Sequence, residues 1–172
     1  DPEALKLLVK SLLDRDVRLS LDATALVSYI LPLLSGKNVV VTPHAGEFKK
    51  MFGEVPPDSK KARITMVEKF AKDHSITILL KGPTDIISNG TKTYINPTNT
   101  PGMTVGGTGD ILSGIIAGML ARNRNALESA VISAYFNGLA GKSTQKKLGS
   151  HMTATDLLDA LPSVMKSFDK IK

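Results

Sequence analysis

The 172-residue chain has no cysteine and no tryptophan, and only 5% of its residues are aromatic. Without thiols there is no disulfide framework and no thiolate metal site. So few aromatics leave no stacking platform for single strands, so nucleic acid is not an expected partner. Gly, Ser or Lys interrupts the longest apolar stretches well short of a membrane span, so no membrane partner is expected either. The start, Asp1-Pro2-Glu3, does not resemble a signal peptide, and a cytoplasmic location is expected. No internal repeat or low-complexity segment is present.

What remains is an ordinary globular composition: 42% hydrophobic residues, in a chain long enough for one domain with a core. The formal charge is +6, from 22 basic and 16 acidic residues. An anionic partner such as a nucleotide fits that excess. Most of the lysines are scattered, or paired as in Lys49-Lys50, Lys60-Lys61 and Lys146-Lys147, and read as solvated helix faces.

Periodicity gives the elements. Leu5, Leu8, Val9 and Leu12 repeat at helical spacing over 2–13. A strand is expected over 17–21, then a helix over 23–34 that Pro32 should end or kink. Residues 38–42 read as a strand buried on both faces, 45–52 as a short helix, and 56–73 as a longer one capped by Asp58 or Ser59. A strand over 76–80 precedes a hairpin, 85–88 and 92–96, turned by Asn89-Gly90. After a loop over 96–109 come helices over 110–122 and 126–146, in the second of which Gly138 and Gly141 allow close helix contact. A last helix from Thr153 carries Asp156 as the acidic partner of a capping box, and Pro162 should bend or interrupt it. Alternating helices and apolar strands predict an α/β layer fold with a mostly parallel sheet, its ligands at the carboxyl ends of the strands.

The segment from Pro101 to Gly114 holds five glycines and one acidic residue, Asp110, and runs into an apolar helix. Such a junction is an anion site, since glycine permits close approach and a helix start offers unpaired N–H groups. It is neither a P-loop nor a dinucleotide fingerprint. Asp110 could cap the helix, but a cap does not need Gly106, Gly107 and Gly109 as well. The chemistry that suits it is phosphoryl transfer. A phosphoryl group would rest on the N–H groups from Thr108 to Ile111, and Asp110 would accept the proton of an attacking hydroxyl. Three further clusters follow apolar strands. Asp22 could bind a hydroxyl or hold loop amides. His44 and Glu47, three apart, are too few for a protein-only metal site; Glu47 acting through water on a nucleotide-bound Mg²⁺ is more plausible, as is a plain helix start. Lys81 could contact a phosphate or be a solvated strand end.

These stretches resemble the ADP/ATP-dependent NAD(P)H-hydrate dehydratases of the ribokinase-like superfamily. The likeness lies in T-P-H-A-G-E-F from Thr42, L-K-G from Leu80, N-T-P-G-M-T-V-G-G-T-G-D-I-L-S-G-I-I-A-G from Asn99, and T-A-T-D-L-L from Thr153. The resemblance implies a three-layer α/β/α fold and repair of the S-form of NADH or NADPH hydrate. ADP or ATP, with Mg²⁺, would phosphorylate the hydrate's hydroxyl, and loss of phosphate would restore the cofactor. Asp110 then matches the catalytic base. Gly107, Thr108 and Gly109, with Lys81, Gly82, Pro83, Thr84 and Asp85, match the nucleotide site. His44, Asp110 and Asp22 match the substrate side. Thr24 and Val27 depart from the family pattern, standing where Asp and Asn are usual.

Ribokinase-like kinases usually have Asn where this chain has His44, which favours the dehydratase over a kinase for a sugar or vitamin precursor. A non-enzymatic nucleotide-binding fragment is the other alternative. Residues 1–13 resemble the helix that follows a family glycine motif, and that motif is not in this chain. Residues 1–172 are therefore expected to be the C-terminal portion of one dehydratase domain, associated with the missing N-terminal segment or forming a homo-oligomer. Family members are often fused to an epimerase.

Overall fold

The computed structural model describes residues 1–122 and 125–169. Helix α1 (Pro2–Leu13), its amides capped by the Asp1 carboxylate, precedes strand β1 (Leu19–Leu21). A short helix α2 (Leu31–Leu34) leads to β2 (Val39–Val41). Helices α3 (Ala45–Phe52) and α4 (Lys60–His74) cross over to β3 (Thr77–Leu80). The hairpin β4 (Asp85–Ser88) and β5 (Thr93–Asn96) follows, then α5 (Thr108–Ala121), α6 (Ala126–Leu148) and α7 (Ala154–Lys166).

The five strands form one sheet in chain order, β1-β2-β3-β4-β5. β1 to β3 are parallel, joined through helices; β4 and β5 add two antiparallel pairs. The sheet is thus mixed, because the tight turns around the hairpin are too short for a crossover. Alternation along the strands sorts side chains into two cores. Val39, Val41, Ile78, Leu80 and Ile86 pack under the helices α1 to α4. Val40, Leu79 and Ile87 point the other way, onto Leu112, Ile116 and Leu120 of α5 and Leu127, Ala130 and Ala134 of α6. Three layers result, as the strand pattern requires. A third cluster, with Phe136, Leu157 and Leu161, joins α6 to α7.

Several local expectations are corrected. The stretch 23–34 is two 3₁₀ turns, Ala23–Ala25 and Ser28–Ile30, before α2. Ala23 takes a positive φ of 51°, which a helix cannot hold, and Pro32 sits in the first turn of α2, where its missing N–H is not needed. Pro32 therefore starts a helix instead of ending one. Pro162 lies inside α7 without ending it. Leu158, whose carbonyl loses a donor, is exposed, so water can replace that bond. Gly138 and Gly141 admit a loop, not a helix: a Cβ there would collide with Thr98 and Met103. Ser59 stands at the N-cap of α4 without a side-chain cap bond.

Candidate active site

Four segments meet at the carboxyl ends of β1, β2 and β3. Lys81 follows β3, and its backbone N–H bonds to the Pro43 carbonyl beyond β2 at 2.8 Å. Its ammonium bonds to the Asp22 carboxylate, just after β1, at 2.8 Å, and lies 3.5 Å from Glu47. The three side chains are mostly buried, so the cation is shared between two acids of low solvent access. The fourth segment is the start of α5. A Cβ on Gly109 would come within 3.3 Å of the Lys81 Nζ and 3.7 Å of Asp22 Oδ2, so only glycine lets the helix start approach this ion cluster without moving it.

The start of α5 is uncapped by any side chain. Gly107 occupies the N-cap with φ 96°, a left-handed conformation that favours glycine. The first amide used in the helix is that of Ile111, which bonds to Gly107 O at 3.1 Å. The N–H groups of Thr108, Gly109 and Asp110 have no acceptor among the described residues. The free set is therefore these three of the four that the sequence suggested, the amide of Ile111 being used within the helix. Asp110 is the third helical residue and not the cap. Its carboxylate is exposed and makes no bond to any described residue. Unpaired amides and the positive helix end create a place for an anion, and Asp110 stands beside it.

His44 is the N-cap of α3. Its Nδ1 accepts from the amides of Gly46 at 3.0 Å and Glu47 at 3.2 Å, while Glu47 Oε2 accepts from the His44 amide at 2.8 Å. Both residues thus do serve as a helix start. The arrangement also fixes the imidazole: Nδ1 carries no proton, so a neutral His44 presents its N–H from Nε2, on a side chain 59% exposed. Among the described residues no three His, Asp or Glu side chains are grouped to hold a metal.

A cavity of about 720 Å³ opens beside these groups. Lys81, Gly82 and Pro83 form one wall, and Gly107, Thr108 and Gly109 another; His44 reaches its rim. Asp85 lines it but has no free oxygen. It is 3% exposed; Oδ1 accepts from the Gly82 amide at 3.1 Å and Asn99 at 2.8 Å, and Oδ2 from Asn96 at 3.0 Å. Burial raises its pKa above the usual carboxylate value, although these donors and Lys81 pull it down. Asp85 thus holds the loop after β3 in shape. Asp22, Glu47, Thr84 and Asp110 are not on the cavity wall.

Sequence reasoning missed the asparagines. Asn99 ties the Gly82 carbonyl, at 2.9 Å, to Asp85, and Asn96 ties Asp85 to the Ala134 carbonyl of α6, at 3.0 Å. The hairpin register, which sets Asp85 opposite Asn96, is the signal that could have revealed them.

Comparison with known proteins gives a consistent result. The NAD(P)H-hydrate dehydratase family model matches residues 1–163. The chain is 64% identical over 171 residues to an ADP-dependent (S)-NAD(P)H-hydrate dehydratase of Nitrosopumilus maritimus, covering 99% of this chain and 60% of that protein. The crystal structure of the ADP/ATP-dependent NAD(P)H-hydrate dehydratase from Bacillus subtilis, co-crystallised with ATP/Mg²⁺, superposes with a TM-score of 0.79 at 30% identity, over 90% of this chain and 56% of that one. A ribokinase-like superfamily protein of Enterococcus faecalis superposes with a TM-score of 0.73 at 25% identity, over 96% of this chain and 59% of that one. The fold is therefore ribokinase-like, and the chain spans about 60% of the length of the curated relative it matches. With its family model matched over nearly all of its length, the chain belongs to the NAD(P)H-hydrate dehydratase family.

Proposed function

We propose that this protein dehydrates the S-form of NADH or NADPH hydrate at the expense of ADP or ATP, restoring the reduced cofactor. The observation that carries the reading is the free Asp110 carboxylate beside the three unpaired amides of α5, next to the Lys81 ion cluster. The terminal phosphoryl group of the nucleotide would rest on those amides. Asp110 would take the proton of the hydrate's hydroxyl as its oxygen attacks phosphorus, releasing AMP when ADP is the donor. The C–O bond then breaks, phosphate leaves, and a proton is lost from the adjacent carbon to restore the double bond. Hydrate and ADP thus become NAD(P)H, AMP and phosphate. On this reading His44, through its exposed Nε2–H, and Asp22 orient the hydrate, and the walls formed by Lys81 to Pro83 and by Gly107 to Gly109 hold the nucleotide.

Donors fixed in advance at the position of developing charge are worth roughly a hundredfold or more each in rate. A Mg²⁺ ion would supply charge neutralisation on the phosphates. With no group of three such ligands among the described residues, it would be held by the nucleotide, with Glu47 reaching it through water. Residues 1–172 are taken as the C-terminal portion of one such domain, completed by further chain or by a second copy. The exposed Leu7 and Leu8 of α1, and β1 paired on one side only, support this. A cytoplasmic setting, where these nucleotides are abundant, belongs to the same proposal. Among the described residues, no helix is long and apolar enough to cross a membrane.

The test is incubation with hydrated NADH and ADP or ATP, following the return of dihydronicotinamide absorbance. No return, with phosphorylation of a sugar or vitamin alcohol instead, would favour the kinase reading. The occupation of the N-cap by His44, where ribokinase-like kinases have Asn, supports the dehydratase.

A further inference from the structure

A second cavity, of about 710 Å³, lies at the amino ends of β2 and β3, the opposite end of the sheet from the candidate active site. Its size is within the range of roughly 300–1,000 Å³ found for small-molecule sites. Residues 36–38, 75–77, 89–92 and 125–128 frame it. Contacts among these segments hold the frame together. The Gly36 amide bonds to the Ser75 carbonyl at 3.0 Å, and the Ala126 amide bonds to Asn38 Oδ1 at 2.7 Å. The hairpin turn sits so close to the end of α4 that a Cβ on Gly90 would strike the Lys72 backbone.

The three asparagines on the wall all use their amide groups in the same sense. Asn38 Oδ1 accepts from Ala126. Asn89 Oδ1 accepts from the amides of Thr91 at 3.1 Å and Lys92 at 2.9 Å, and Asn125 Oδ1 from that of Glu128 at 2.8 Å. Each acceptor is thus spent on the backbone, which leaves the Nδ2–H groups as donors with no acceptor among the described residues. Lys37, Lys72 and Lys92 stand on the same wall, each from a different segment. None of their ammonium groups forms an ion pair with a described residue. Glu128 is the single carboxylate among the described lining residues. Donors and positive charge therefore prevail, a composition that suits an anion with several oxygens. Ser75, Thr77 and Thr91 add hydroxyls, which can donate or accept. Ile76, Leu127 and Val131, with the partly exposed Tyr94, supply apolar and aromatic surface beside them.

We propose that this cavity binds a small organic phosphate. The phosphate oxygens take the lysine and asparagine donors, and the carbon skeleton lies against Leu127, Val131 and Tyr94. None of these residues takes part in the proposed reaction, so failure of one proposal leaves the other intact.

The test titrates ¹⁵N-labelled protein with phenyl phosphate and follows the amide resonances of Gly36, Thr91 and Leu127, all on the cavity wall. They shift together and saturate. Lys37→Gln/Lys72→Gln/Lys92→Gln, changed only at exposed positions, binds about tenfold or more weakly, because charge-assisted contacts are lost. Asn89→Asp keeps an oxygen for the Thr91 and Lys92 amides but exchanges the unspent donor for a second, charged oxygen. Its binding falls about tenfold as well. Inorganic phosphate and phenol, which carry the two halves of the probe, each bind about tenfold or more weakly than phenyl phosphate. Shifts confined to the amides of Thr108 to Asp110 would place the anion at the candidate active site and overturn the inference. So would an affinity unchanged in the lysine variant or in Asn89→Asp, or inorganic phosphate binding as tightly as phenyl phosphate.

Discussion

The Lys81 ammonium and the Asp22 carboxylate lie 2.8 Å apart although 59 positions separate them in the chain. They meet because β1 and β3 flank β2 in parallel and end together. Glu47 completes the cluster at 3.5 Å. Lys81→Met would leave two carboxylates facing each other with little water. Removing one partner of a largely buried pair is expected to cost about 2–3 kcal/mol, somewhat under the fully buried case. Chemical denaturation of the variant measures it. A loss under 0.5 kcal/mol, roughly the value of a surface pair, would show that water already screens the cluster.

Asp110 differs in having nothing to hold. It is exposed and unbonded, so Asp110→Asn should leave the melting temperature unchanged. Turnover should fall about a hundredfold or more, the usual contribution of a general base, while ADP binding stays within a few-fold. Single-turnover rates and calorimetry separate the two effects. Retained turnover would remove Asp110 from the role of base.

Much of this was legible in the sequence. The continuous apolar runs at Val39 and Ile78, the Asn89-Gly90 turn and the Thr153 capping box follow from local rules, and each is found where those rules place it. Asp22, His44 and Lys81 could be expected at one edge because each follows a parallel strand. The stretch 23–34 was not legible, because leucine spacing there imitates a helix while Ala23 adopts a left-handed turn. The structural part of Asp85 was not legible for a different reason. The resemblance puts it in the nucleotide segment, but its oxygens accept from Gly82, Asn96 and Asn99, and the positions of the two asparagines depend on hairpin register and on the return of the loop.

Gly109→Ala separates stability from activity. The position is helical, where alanine is favoured over glycine by about 0.5–1 kcal/mol. The new methyl, however, would sit 3.3 Å from Lys81 Nζ and crowd the amide cradle. Unfolding should occur at an equal or higher denaturant concentration. Turnover should drop about tenfold or more, because small misplacements near reacting groups are costly. An active variant would show that the cradle has more room than the geometry gives.

The pH dependence of stability should carry two opposite contributions. Asp85 has its pKa raised from 3.8, mainly by burial. For a raised acid, the folded state binds the extra proton, so this contribution is fully present below 3.8 and is lost as pH rises through the folded value. Asp156 has its pKa lowered from 3.8 by hydrogen bonds from the Thr153 side chain and backbone. Its contribution is present above 3.8 and is lost as pH falls through the folded value. Denaturation of the protein, Asp85→Asn and Asp156→Asn from below pH 3.8 up to neutral pH tests both. Relative to the unmodified protein, Asp85→Asn should look worst at acid pH and improve toward neutrality. Asp156→Asn should show the reverse slope, confined to the acid end. Parallel curves for all three proteins would mean that neither carboxyl changes its proton affinity on folding.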